Sequence, residues 1–211
     1  MQAEAGSPLA EPRTIALLAR CVVQNGAAGV RIEGADNIRA VRAAVDVPIV
    51  GLIKREYSGF WPYITTTLEE IAAIAEAGAE IVAFDATGRP RMSGASVAEL
   101  AGAAQRAGRL AMADCATVAD GRAAVAAGAD ILATTLAGYT TETAGRSLPA
   151  LDLVAAMIGM HPFVVCEGGI ARPEQAREAL AAGASAVVVG TAITNVDALT
   201  RRFAEAVNPV P

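Results

Sequence analysis

The sequence holds one histidine, His161, and three cysteines, Cys21, Cys115 and Cys166, in 211 residues. A lone imidazole rules out a multi-histidine metal site, and it precedes an apolar run, which places it at the start of a strand. The cysteines are odd in number and form no C-x-x-C pair, which argues against a disulfide framework. They read as reduced thiols serving as small core residues. Lysine and arginine never cluster, and the formal net charge is −5; a nucleic-acid partner normally requires a basic footprint. A long membrane-type run is missing too. Leu180 to Val196 carries no charge, but Gly183 and Gly190 interrupt it, which matches a helix end followed by a strand. No basic-then-apolar leader pattern opens the sequence. The expectation is a cytoplasmic protein without nucleic-acid or membrane contacts.

What is present is aliphatic: 54% of residues are hydrophobic and mean hydropathy is +0.41, ample for a sizeable core. One pattern recurs in "QNGAAGVRIEG", "AEAGAEIVAFDAT", "VAAGADILATTLA" and "AAGASAVVVGTAI". Each joins the end of an Ala-rich helix, a glycine suited to the helix C-terminus, and a β-branched run. Three more apolar runs, "VPIVGLIK", "RLAMADC" and "PFVVCEGGI", lie between them. Seven strands follow, near 28–33, 47–54, 80–86, 110–115, 130–136, 163–167 and 186–191. The intervening helices start near Asp36, Thr67, Ser96, Thr117, Pro149 and Pro173, with a last helix over 196–207.

Near-continuous apolar strands alternating with helices indicate a right-handed βαβ series whose strands are covered outside and packed within. The expected fold is a single α/β domain over 1–211, a (β/α)8 TIM barrel. Such a barrel needs eight strands, and the segment from Met1 to Gly26 offers a helix with no strand ahead of it. The alternatives are a first strand missing or truncated at the N-terminus, which this reading favours, and an open sheet.

Polar residues gather at the carboxyl ends of the strands: Arg31 and Glu33, Lys54, Asp85, Asp114, Thr134 and Thr135, Glu167, then Gly190 and Thr191. In a barrel these ends share one mouth, where barrel enzymes place their sites. Lys54 ends the apolar run Val47 to Ile53, so burial and a neighbouring Arg31 or Arg55 would lower its pKa, and amine and carboxyl groups around one pocket shift one another. The loop after it, "YSGFWPY", carries Tyr57, Phe60, Trp61 and Tyr63. It reads either as a lid that sheds water or as a packed or partner-contacting tip. The glycines of "CEGGI" and "VVVGTAI" offer backbone N–H groups suited to a phosphate, although glycine serves ordinary turns equally well.

Across nearly the whole chain the sequence resembles the N-acetylmannosamine-6-phosphate 2-epimerase family. The resemblance rests on "PIVGLIKREY", "YITTTLEEIAAIAEAGAEIVAFDATGRPR", "MADC", "GADILATTLAGYT", "CEGGIARPEQAREALAAGASAVVVGTAIT" and, more weakly, "MQAEAGSPL". It implies a (β/α)8 barrel without metal or organic cofactor, acting on a small phosphosugar in sialic acid breakdown. It assigns proton transfer at C2 of the sugar to Lys54 and Glu167, with Arg31 and Asp114 as polar partners. Gln2 and the "TTLAGYT" segment, with Thr134, Thr135 and Tyr139, fall near the sugar, and Gly168, Gly169, Gly190 and Thr191 near the phosphate. Asp114 is expected to orient Lys54. Family resemblance and the aromatic loop are also compatible with a homodimer.

Three positions depart from the family pattern. Gly169 stands where a basic residue follows "EG", Asn195 where an arginine follows "AIT", and Ala10 where a histidine follows "PL". Two of these changes remove positive charge from the phosphate end. Other readings therefore stay open: an epimerase for an unphosphorylated amino sugar, a Schiff-base aldolase using Lys54, and a non-catalytic sugar-binding barrel.

Overall fold

In the computed structural model, Met1, residues 3–4 and residues 6–208 are described. Seven parallel strands run in sequence order across one sheet: β1 (Val30–Glu33), β2 (Ile49–Leu52), β3 (Ile81–Asp85), β4 (Leu110–Asp114), β5 (Ile131–Ala133), β6 (Val164–Glu167) and β7 (Ala186–Val188). Each predicted strand is present and shorter than predicted, because ladder pairing ends where the chain turns toward its helix. The helices are α1 (Pro12–Gln24), α2 (Ala35–Arg42), α3 (Leu68–Glu76), α4 (Val97–Arg106), α5 (Val118–Ala126), α6 (Leu151–Ile158), α7 (Pro173–Ala181), α8 (Thr191–Thr194) and α9 (Val196–Val207). The single-turn α8 has no counterpart in the sequence pattern. Among the described residues, no helix is long and apolar enough to cross a membrane.

Local chemistry sets the helix starts. Thr67, Ser96 and Thr117 each accept the backbone N–H three residues on, while Glu70, Glu99 and Asp120 reach back, so three helices open with a capping box. At the other end, Gly78 (φ +100°) and Gly183 (φ +103°) leave α3 and α7 through the left-handed region, which a Cβ disfavours.

Side-chain alternation divides the core in two. Ile32, Val82, Phe84, Ala113, Leu132, Val164 and Cys166 face the helices, in a cluster that also holds Ile38, Ile74, Leu100 and Leu153. Leu52, Ala83, Met112, Ile131, Ala133 and Val165 point the other way and fill the interior. Gly51 sits where β2 meets its helices most closely: an added Cβ would lie 2.5 Å from Ile74 Cγ2 and 2.8 Å from Ala79 Cβ.

Arg31 on β1 bonds Asp114 on β4 and pairs with Glu167 on β6. Side chains from strands so far apart in the sheet meet only if the sheet curls upon itself, and it does so into a nearly closed barrel. The eighth strand of the expected barrel is not among the described residues. At the seam, the Met1 carbonyl accepts from the Glu33 N–H at 3.1 Å, and β7 is half-buried along its length, whereas the inner strands β3 to β5 are almost wholly enclosed. The helix that follows β7 is similarly uncovered: α9 has no buried residue, and Phe203 is 72% exposed. Cys115 and Cys166 are buried as expected, but Cys21 is exposed on α1, on the face turned from Ile15 and Ala19.

Candidate active site

The barrel mouth is organised around Arg31. Its interior-facing position on β1 sends the guanidinium across the lumen, where Nη1 and Nη2 fork onto the two oxygens of Asp114 at 3.1 and 2.6 Å. Nη1 also lies 3.1 Å from Glu167 Oε2. Burial works against the Arg31 charge, but Asp114 and Glu167 outweigh it and raise its pKa. Asp114 is fully buried, and a bidentate fork of this kind is the arrangement that makes such burial tolerable.

Thr135 ties the two carboxylates together. Its hydroxyl lies 2.7 Å from Asp114 Oδ1 and 3.1 Å from Glu167 Oε2. Glu167 is the carboxylate whose proton affinity is raised: burial drives the change and the nearby Asp114 charge adds to it, against the opposing pull of Arg31 and Thr135.

Lys54 follows β2 at the rim, where its residue pairs antiparallel with Ile64. The ammonium lies 5.7 Å from the centre of the Tyr63 ring. Among the described residues no carboxylate is within ion-pair distance of it, so the expected contact with Asp114 does not form; Asp114 is spent on Arg31 and Thr135. Burial, then Arg31, lowers the Lys54 pKa, and solvent access at the rim limits that shift. The expected choice between Arg31 and Arg55 is thereby resolved, since Arg55 turns outward toward Glu70 at 3.9 Å.

Asp85 lies at the mouth as expected, and it brings two partners that the strand ends did not reveal, Thr87 and Arg89. Asp85 at the end of β3 accepts from Arg89 Nη2 at 2.7 Å and from the Thr87 hydroxyl at 2.6 Å, and Arg89 Nε bonds that hydroxyl at 2.9 Å. The "DATGRPR" run held the signal, because an arginine four residues after a strand-end aspartate can fold back onto it.

The remaining predicted residues divide. Tyr139 is exposed beside Gly168, whose added Cβ would stand 3.6 Å from the Tyr139 ring. Thr134 is turned away from the mouth: its hydroxyl donates to the Glu167 carbonyl at 2.9 Å and accepts from the Glu167 N–H at 3.1 Å, so it serves the β6 backbone. Gly169 (φ +70°) packs under Leu148, and a Cβ there would fall 2.3 Å from Leu148 Cβ, so the loop as folded has no room for a larger side chain. Gly190 and Thr191 lie beyond the end of β7 and are exposed, leading into α8. Asn195 caps α9, its side-chain oxygen accepting from Ala198 N–H at 2.9 Å. Gln2 lies outside the described residues. His161 bonds locally to Phe163 ahead of β6, away from the mouth.

Residues 15–209 match the family model NanE, described as "Putative N-acetylmannosamine-6-phosphate epimerase". The chain belongs to the NanE family. A "Bifunctional enzyme NanE/NanK" of Brucella melitensis is 47% identical over 95% of this chain. The chain spans 38% of the length of that relative. A "Putative N-acetylmannosamine-6-phosphate 2-epimerase" of Synechococcus elongatus is 44% identical, covering the whole chain and 92% of the relative. The solved N-acetylmannosamine-6-phosphate 2-epimerase of Clostridium perfringens superposes with a TM-score of 0.92 at 35% identity, covering 97% of this chain and 90% of that one. This NanE-family chain therefore shares the architecture of a solved epimerase along nearly its entire length.

Proposed function

We propose that this chain interconverts N-acetylmannosamine 6-phosphate and N-acetylglucosamine 6-phosphate by removing and returning the proton on C2 of the open-chain sugar. The names carried by its full-length relatives support the substrate. The observation that carries the chemistry is geometric: Lys54 after β2 and Glu167 at the end of β6, the latter held by Arg31 and Thr135, open on a single mouth, where burial lowers the pKa of the amine and raises that of the carboxyl.

A proton α to an aldehyde is weakly acidic, so the site needs a base in its neutral form and an acid that still holds a proton. An ordinary lysine, with a pKa near 10.4, is almost wholly protonated at neutral pH; lowering that value increases the neutral share of Lys54. Raising the Glu167 pKa supplies the complementary group. In this reading Lys54 and Glu167 exchange the C2 proton, while Arg31, Asp114 and Thr135 hold Glu167 in position. The sugar lies under Tyr139, and its phosphate takes the face formed by the backbone N–H groups of Gly168, Gly169, Gly190 and Thr191.

The test is proton NMR of N-acetylmannosamine 6-phosphate with the protein in deuterated water. The C2 signal should be lost by exchange as the second epimer appears, with the rate increasing as Lys54 is deprotonated below the usual lysine range. Lys54→Met should abolish both exchange and epimerisation. Exchange at the wild-type rate in that variant would refute the assignment.

A further inference from the structure

Removing the C2 proton leaves negative charge on the C1 oxygen, and that oxygen needs a hydrogen-bond donor. Most donors around the mouth are already committed. Arg31 is divided between Asp114 and Glu167, the Thr135 hydroxyl lies against the same two carboxylates, and Arg89 is held by Asp85 and Thr87. Lys54 must be neutral to act as a base.

Among the described residues, the hydroxyls of Tyr63 and Tyr139 are uncommitted, and of the two Tyr63 is the one packed on the barrel interior beside the Lys54 amine, whereas Tyr139 is exposed. The Tyr63 backbone carbonyl accepts from the Arg55 N–H at 2.9 Å, and the adjoining Lys54–Ile64 bridge closes the loop as a short hairpin. The base of that loop is secured by Glu70, which accepts from the Tyr57 hydroxyl at 2.9 Å and from the Thr66 N–H at 2.7 Å. The hairpin turns the Tyr63 ring inward against the barrel-interior cluster, while Trp61 is left 75% exposed. The ring centre is 5.7 Å from the Lys54 amine. Unlike Tyr57, Tyr63 has no hydrogen-bond partner for its hydroxyl among the described residues. The Lys54 amine stands over its ring, and its hydroxyl feels the charges of Asp114, Asp85 and Arg89 at the ends of β4 and β3 and in the loop after β3.

We propose that Tyr63 is a further catalytic residue, whose hydroxyl donates a hydrogen bond to the C1 oxygen while the C2 proton is away from the sugar. The proposal rests on the C2 proton-transfer reading above. As the C2–H bond breaks, its electron pair forms the C1–C2 double bond and the carbonyl pair moves onto O1. The proton goes to Lys54 or Glu167, and Tyr63 keeps its own. Return of a proton to the opposite face of C2 restores the aldehyde, with no other reactant consumed. Burial, then Asp114 and Asp85, raise the phenol pKa, which favours the neutral, hydrogen-bond-donating form of the hydroxyl.

Tyr63→Phe keeps the ring beside Lys54 and removes only the hydroxyl. Loss of one oxyanion donor lowers turnover by about 10²–10³-fold, so kcat and C2-proton exchange should fall together by that factor while KM stays within about threefold. The chain has a single lysine, so [15N]lysine NMR follows the Lys54 titration as one signal, which should be unchanged in Tyr63→Phe and displaced in Tyr63→Leu. A Tyr63→Phe variant retaining wild-type kcat, or one losing rate in step with a displaced Lys54 titration, would overturn the proposal. Thermal melting and circular dichroism matching the wild type are required of the variant; if Tyr63→Phe unfolds, the wild-type rate decides instead, because it must decline at high pH as the phenol ionises. A wild-type protein that does not exchange the C2 proton overturns the proton-transfer reading itself, and this proposal with it.

Discussion

The clearest test of the barrel mouth is Arg31→Met, which replaces the guanidinium with an unbranched apolar chain. Arg31 is 8% exposed and Asp114 fully buried, so the variant leaves Asp114 and Glu167 facing each other across Thr135 without a cation. Breaking a buried pair by removing one partner costs about 3–5 kcal/mol. For a domain of this size 1 kcal/mol shifts Tm by about 2–4 °C, which gives a fall of roughly 6–20 °C near pH 7–8. The pH dependence is more diagnostic than the fall itself. Arg31 is the main influence holding the Glu167 pKa down, so without it the folded-state value rises further above the unfolded one and the folded variant binds the extra proton. Its deficit is therefore full above that raised value and shrinks as pH falls toward the unfolded carboxylate range, about pH 4. Circular-dichroism melts of both proteins from pH 5 to 8 measure this directly. A Tm loss under about 2 °C, or a deficit independent of pH, would refute the paired-charge account.

Two further substitutions probe the frame and the phosphate end. Gly51→Ala forces a methyl group against Ile74, Ala79 and Ile38, and overpacking of this kind costs about 1–3 kcal/mol; a denaturant midpoint equal to wild type would show that the helices yield freely. Asn195→Arg removes the α9 cap, costing about 0.5–2 kcal/mol of stability, and restores the cation that the resemblance places beside the phosphate, worth about 1.5–3 kcal/mol. Its preference for phosphorylated over unphosphorylated N-acetylmannosamine, measured as a ratio of kcat/KM, should rise about tenfold or more. An unchanged ratio would remove Asn195 from the phosphate subsite.

Much of the candidate site could be read along single strands. Residues at the carboxyl ends of β1, β4 and β6 reach one mouth because a parallel series points every strand the same way. The outward turn of Thr134 has its signal in the sequence: it lies two residues after Leu132, which packs against the helices, so strand alternation sends it to the same outer side. The orientations of Tyr63 and Arg89 are not legible in the sequence, for another reason. Both sit in loops, where no periodicity says which way a side chain turns.

The sequence by itself determined the order of strands and helices, the capping boxes and which end of each strand is polar, since these depend on neighbours within a few residues. Only the tertiary structure decided the partnerships: Arg31 joins Asp114 across 83 positions, leaving Lys54 beside an aromatic ring instead of a carboxylate. The physical reason is that a buried charge takes whichever partner the closing barrel brings within reach. That distance depends on the curvature of the whole sheet, which no local stretch of residues encodes.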